Sequence, residues 1–123
     1  MNAFLTARRQ ATQRLIDENP VSIVVRRQES IPDAAGGSTL MLSALTPFHG
    51  RIVPVGRRAA SVRWDEAGKM HLFDWTLIAP WDADVRLGDT FSVRGQNFRV
   101  DRVVHSRFGG EIYAVHAMLE EVS

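Results

Sequence analysis

The stretch Val85-Arg86-Leu87-Gly88-Asp89-Thr90-Phe91-Ser92-Val93-Arg94-Gly95-Gln96-Asn97-Phe98-Arg99-Val100-Asp101-Arg102-Val103-Val104 decides the fold. Leu87-Gly88-Asp89 carries turn chemistry and opens a short run in which Phe91 and Val93 fall on one face. Arg94-Gly95-Gln96 reads as a tight turn, with Gly95 taking a positive φ that side-chain-bearing residues adopt only at a cost. From Asn97 the alternation resumes, with Phe98 and Val100 opposed to Arg99 and Asp101. A hairpin results in which Phe91 and Phe98 pair across the strands. Gly88-Asp89 lets the chain reverse and caps the start of the first strand.

Downstream, Arg107 to Gly110 carries the next turn, and Glu111 to Val122 reads as a long strand. Ile112, Ala114, His116 and Met118 fall on one of its faces; Tyr113, Val115, Ala117 and Leu119 fall on the other. At the opposite end, Phe4, Ala7, Ala11 and Leu15, with Leu5 and Ile16, recur at helical spacing over residues 3–18. Asn19-Pro20 stops that helix, because the residue before proline is pushed out of the α region. Residues 21–27 alternate as a strand, with odd positions apolar until Arg27. Gln28 to Ser38, with Pro32, Gly36 and Gly37, reads as a loop that is mobile in the free monomer and orders against a partner. Strands are expected over 39–45 and 51–55 around a Pro47–Gly50 turn. Residues 56–60 read as a basic loop, 61–64 as one arm of a hairpin turning at 65–68, and 71–79 as an apolar strand ending at Pro80. This spacing predicts a mainly β fold, a small antiparallel β-barrel or sandwich preceded by one N-terminal α-helix. Residues 1–19 form the helix and 20–123 the β-barrel part of a single domain.

A chain of 123 residues, 45% hydrophobic and 24% charged, can bury a core without a metal or disulfide. The absence of cysteine excludes thiolate catalysis and Cys-ligated zinc. The N-terminus meets Arg8 and Arg9 before an apolar run develops, so a cytoplasmic product without a membrane span is expected. Net charge is only +1, but it is unevenly spread. Residues 48–63 carry Arg51, Arg57, Arg58 and Arg63 without an acid, whereas acids dominate 65–89. The four arginines are a candidate subunit interface or DNA-lining surface, and Asp82 and Asp84 a candidate acidic interface. Neither a phosphate-binding loop nor a nucleophile elbow is present, and His49, His71, His105 and His116 lack metal-ligand spacing. No catalytic residue, metal ligand or cofactor site is therefore expected. A small β-barrel that binds nucleic acid is the alternative reading. Trp64, Trp75 and Trp81 flank acids rather than the basic stretch, which is wrong for a stacking platform.

The segment 85–103, about a sixth of the chain, resembles the Gly-Asp, strand, Gly turn, aromatic-x-Val, strand signature of small head–tail connector proteins of tailed bacteriophages, the head–tail joining and head-closure ("stopper") proteins among them. The order of parts is similar too: helix, early strand, long irregular loop, C-terminal meander. Gly88, Asp89 and Gly95 are the residues that carry the signature. The resemblance implies a virion structural protein that forms a homo-oligomeric ring under the portal, contacts portal or adaptor and tail proteins, and helps retain packaged DNA. It implies neither cofactor nor catalysis. A longer 29–38 loop and a C-terminal strand ending at Ser123 leave stopper, adaptor and tail terminator all open.

Overall fold

In a computed structural model, which describes residues 3–55, 62–64, 70–72 and 75–122, the hairpin at the centre of the signature is built as its sequence suggests. Strand β8 (Thr90–Val93) turns into β9 (Gln96–Phe108) through Arg94 and Gly95, whose φ angles of 52° and 81° are both positive. Two consecutive left-handed residues give the tight turn whose twist matches that of paired strands. Phe91 lies in register with Phe98, their ring centroids 5.5 Å apart. Strand β10 (Glu111–Val122) pairs antiparallel with β9 along its length.

The remaining elements are α1 (Ala3–Asp17), β1 (Val21–Ile23), β2 (Arg26–Pro32), β3 (Ser38–Ala44), β4 (Phe48–Pro54), β5 (Val62–Trp64), β6 (Met70–Leu72) and β7 (Trp75–Pro80). Eight strands form one antiparallel sheet in the order β1-β4-β7-β10-β9-β8-β2-β3, and β5 and β6 form a separate pair. Only Val24 and Val25 separate β1, which pairs with β4, from β2, which pairs with β8 at Arg26↔Thr90. One run of chain therefore touches both ends of the sheet and curls it round a core, without closing the hydrogen-bond ladder into a barrel. The fold is thus mainly β with one N-terminal helix, as expected.

The core within the curl includes Ile23, Val25, Leu77, Phe91, Phe98, Val100, Val115 and Leu119. A second apolar layer holds Leu5 and Ile16 of α1, which packs on β4, β7 and β10, with Ile78 and Ala114 also buried outside the main core. The helix differs from the expected one in which face it buries. Leu5, Arg9, Thr12 and Ile16 face the sheet, while Phe4, Ala7, Ala11 and Leu15 form an outward stripe. Arginine reaches the inner face because its guanidinium finds partners there, so apolar spacing alone picked the wrong stripe.

Three further expectations are corrected. Residues 28–38 are a hairpin rather than a loop: β2 and β3 pair from Arg26↔Ala44 to Pro32↔Ser38, and only 33–37 turn. Asp33 Oδ1 accepts the N–H groups of Ala35 and Gly37, so the Pro- and Gly-rich stretch marks a turn with its own hydrogen bonds. Gly50 lies in β4, not in a turn; a Cβ there would stand 2.8 Å from Leu77 Cδ1, and glycine lets β4 and β7 approach. Bulges at Asp101 and Tyr113 break the alternation of β9 and β10. Past the second bulge Val115, Ala117 and Leu119 share a face as expected, and it meets the core, but before it Ile112 packs on the core and Tyr113 meets the helix. The turn expected at 65–68 lies outside the described residues, although its flanking strands pair from Val62↔Leu72 to Trp64↔Met70.

Because a Cβ at Gly95 would meet nothing within 4 Å, replacing it tests backbone strain alone. Gly95→Val should lower unfolding free energy by about 1–2 kcal/mol. A urea titration reads this as a lower midpoint with an unchanged slope.

Candidate assembly surface

Arg27 occupies the next inward position of the alternation that places Val21, Ile23 and Val25 toward the core. A charged group so placed needs a buried partner, and Asp89, 1% exposed, is that partner. Arg27 Nε donates to Asp89 Oδ1 at 2.9 Å and Nη2 to Oδ2 at 2.8 Å, a two-pronged guanidinium–carboxylate pair. The backbone N–H of Arg86 adds a third bond to Oδ2 at 2.7 Å. Arg27 also reaches Asp84, with Nη1 to Oδ2 at 3.1 Å and Nη2 to Oδ1 at 3.2 Å. The bonds to Asp89 and Asp84 raise the Arg27 pKa, and those from Arg27 hold the Asp84 carboxyl below its usual range. Gly88 N–H donates to Val100 O and Val100 N–H to Asp89 O, each at 2.8 Å, which pins the Gly-Asp turn to β9.

This network sits at the root of the β2–β3 hairpin. Beyond it the hairpin is an arm exposed on both faces, with Leu40 70%, Leu42 57% and Met41 56% accessible, and Ile31 also exposed. Register places Glu29, Ile31 and Met41 on one face and Ser30, Leu40 and Leu42 on the other. Four large apolar side chains on a thin projecting hairpin form a surface of the kind that assembly covers.

The helix is fastened by arginines. Arg9 Nε and Nη2 donate to Ile112 O at 3.0 and 2.9 Å, and its guanidinium stacks 3.8 Å from the Trp81 ring centroid. Arg8 lies over Phe108 and Tyr113 at 5.2 and 5.3 Å. At the C-terminal end of the helix Arg51 Nη1 donates to Leu15 O at 3.0 Å and to Glu18 at 2.9 Å. Arg51, expected at an interface or a DNA lumen, thus holds the C-terminal end of α1 on β4. Arg63 stands opposite His71 in the β5–β6 pair, and Arg57 and Arg58 lie outside the described residues. Asp84 is engaged within its own chain by Arg27 and, at 3.4 Å, by Arg86. Asp82 is exposed in the loop after β7. Gly88 and Gly95 both take positive φ, and Asp89 is the buried anchor. Spacing alone did not single out Arg27, Arg9 or the arm; the break in alternation at Arg27 was the available signal.

Among the described residues no group of three or more His, Asp or Glu side chains could hold a metal ion. His116 lies half-buried with Nδ1 3.3 Å from Ser106 Oγ, and burial pulls its pKa down. Asp101, in the β9 bulge, has its carboxyl pushed up by burial and then by neighbouring Glu120, against the pull of Arg99 at 3.4 Å.

No protein-family model and no curated protein matches the chain. Among solved structures, a chain of the "Virion of native gene transfer agent (GTA) particle" is similar, with 22% identity over 83% of this chain and 94% of that one, at a TM-score of 0.46.

Asp89→Ala leaves a largely buried guanidinium short of its main partner and should destabilise the chain by about 3 kcal/mol in chemical denaturation. A carboxyl with a raised folded-state pKa contributes stability below its unfolded value and loses it as pH rises through the folded one. Asp101→Asn should therefore raise the melting temperature at pH 7, with the gain vanishing near pH 3.

Proposed function

We propose that this chain is a virion structural protein, a head–tail connector that forms a homo-oligomeric ring under the portal and links the DNA-filled head to the tail. The observation that carries this reading is the apolar β2–β3 arm, rooted through Arg27 in the same Gly88-Asp89 turn that carries the connector resemblance. A buried, multiply bonded root keeps the arm's base at a defined angle to the body. Its apolar distal part gains by being covered, and a neighbouring protein does that. The role needs no cofactor and no catalytic group. Its partners are further copies of itself, a portal or adaptor protein above and a tail protein below, with packaged DNA as a non-specific neighbour. The basic segment holding Arg57, Arg58 and Arg63 supplies positive charge to a neighbouring subunit or to DNA phosphates.

The test is complementation of a phage whose own copy of this gene is deleted, using the wild-type chain or Arg57→Glu with Arg58→Glu. Deletion should give DNA-filled heads without tails in electron micrographs. The double variant should purify folded and restore few tailed particles. Tailed, infectious particles in the deletion strain would contradict the connector role. A tight, steeply salt-dependent affinity of the isolated chain for oligonucleotides would favour the nucleic-acid-binding reading.

A further inference from the structure

We infer that the β2–β3 arm of one copy docks on the outward face of helix α1 of the next copy, through the arm face that carries Glu29, Ile31 and Met41. The inference rests on the ring reading and names the surfaces that build it. At 100° per residue Phe4, Ala7, Ala11 and Leu15 fall in one stripe, all exposed, with Phe4 72% and Leu15 40% accessible. Large residues end the stripe and two alanines form its middle, leaving a shallow saddle in which a hairpin backbone comes close to the helix. Arg8 flanks one edge of the saddle and Arg14 the other.

The arm is complementary in shape and charge. Its Ile31 and Met41 fill the saddle, and Glu29, with Asp33 at the tip, meets the flanking arginines. Both surfaces are exposed in the single chain, so an arm does not cover its own helix. They also lie on different parts of the sheet: α1 over β4, β7 and β10, the arm beyond β8. A contact between two different surfaces of identical chains is head-to-tail, and it forms a closed ring when its rotation closes. The competing occupant is the arm of another copy, because Thr39-Leu40-Met41-Leu42-Ser43 is nearly symmetric and two β3 edges could pair about Met41.

Cysteine cross-linking separates these arrangements, since the chain has no cysteine of its own. Ala11→Cys and Met41→Cys are placed on separate full-length chains, mixed at about millimolar concentration and oxidised. The expected result is a disulfide-linked pair only in the mixture, and a ladder of higher oligomers when both substitutions share one chain. Glu29→Arg should weaken the mixed cross-link, and Arg14→Glu on the partner should restore it. Met41→Cys linking to itself would show two-fold edge pairing and overturn the inference. An absence of any cross-link, with the chain monomeric by sedimentation, would overturn it equally. Full heads without tails in the deletion strain would then still support the connector role, so the two readings fail separately.

Discussion

The pair between Arg27 and Asp89 is the constraint on which the rest of the structure depends. It joins segments 62 residues apart in sequence. The strand that closes the curl of the sheet, the loop from Asp82 to Asp89 and the start of the β8–β9 hairpin are tied together there. A carboxylate as buried as Asp89 loses several kcal/mol of hydration. Two guanidinium bonds and the Arg86 N–H offset that loss, with the Asp89 carbonyl held in turn by β9. Removing either partner leaves a charge that water cannot easily reach.

Around this anchor the molecule uses arginine as a fastener. Arg9 pairs a fork of N–H donors to Ile112 with stacking on Trp81, and Arg51 caps the carbonyl of Leu15 while meeting Glu18. Planar guanidinium groups suit both tasks, which a lysine ammonium performs less well. Helix α1 is thereby held by polar clamps at its middle and at its C-terminal end, and its buried apolar side chains are Leu5 and Ile16. So few buried side chains leave Ala7, Ala11 and Leu15 exposed, and Phe4 largely so, although its ring touches that of Phe108. The same division occurs in the β2–β3 arm, where the root is ionic and bonded and the distal part is apolar and bare.

Much of the fold was legible because local chemistry and tertiary structure agree. Gly95 demands the turn it occupies, Phe91 and Phe98 demand each other across it, and Asn19-Pro20 ends the helix near where the chain turns. Legibility failed where a residue has two common uses. Pro32, Gly36 and Gly37 mark loops and hairpin turns alike, and Gly50 serves close strand approach as readily as reversal. Bulges at Asp101 and Tyr113 leave no trace in periodicity until the partner strand is known. Of the candidate site, Gly88, Asp89 and Gly95 were visible as a signature, but the role of Asp89 as anchor was not, because its partner lies on a strand remote in sequence. Arg51 shows the same limit in reverse: a basic residue in a basic run reads as surface charge until Glu18 is seen beside it.

The β2–β3 arm is firmly rooted and exposes apolar surface in the single chain, and in the proposed assembly that surface is covered. Amide hydrogen exchange on the isolated chain and on the proposed assembly tests this most directly. The account predicts slow exchange along β9 and β10 in both states, with fast exchange in the outer part of β2–β3 that slows strongly on assembly. Equal exchange in the arm in both states, whether fast or slow, would contradict it.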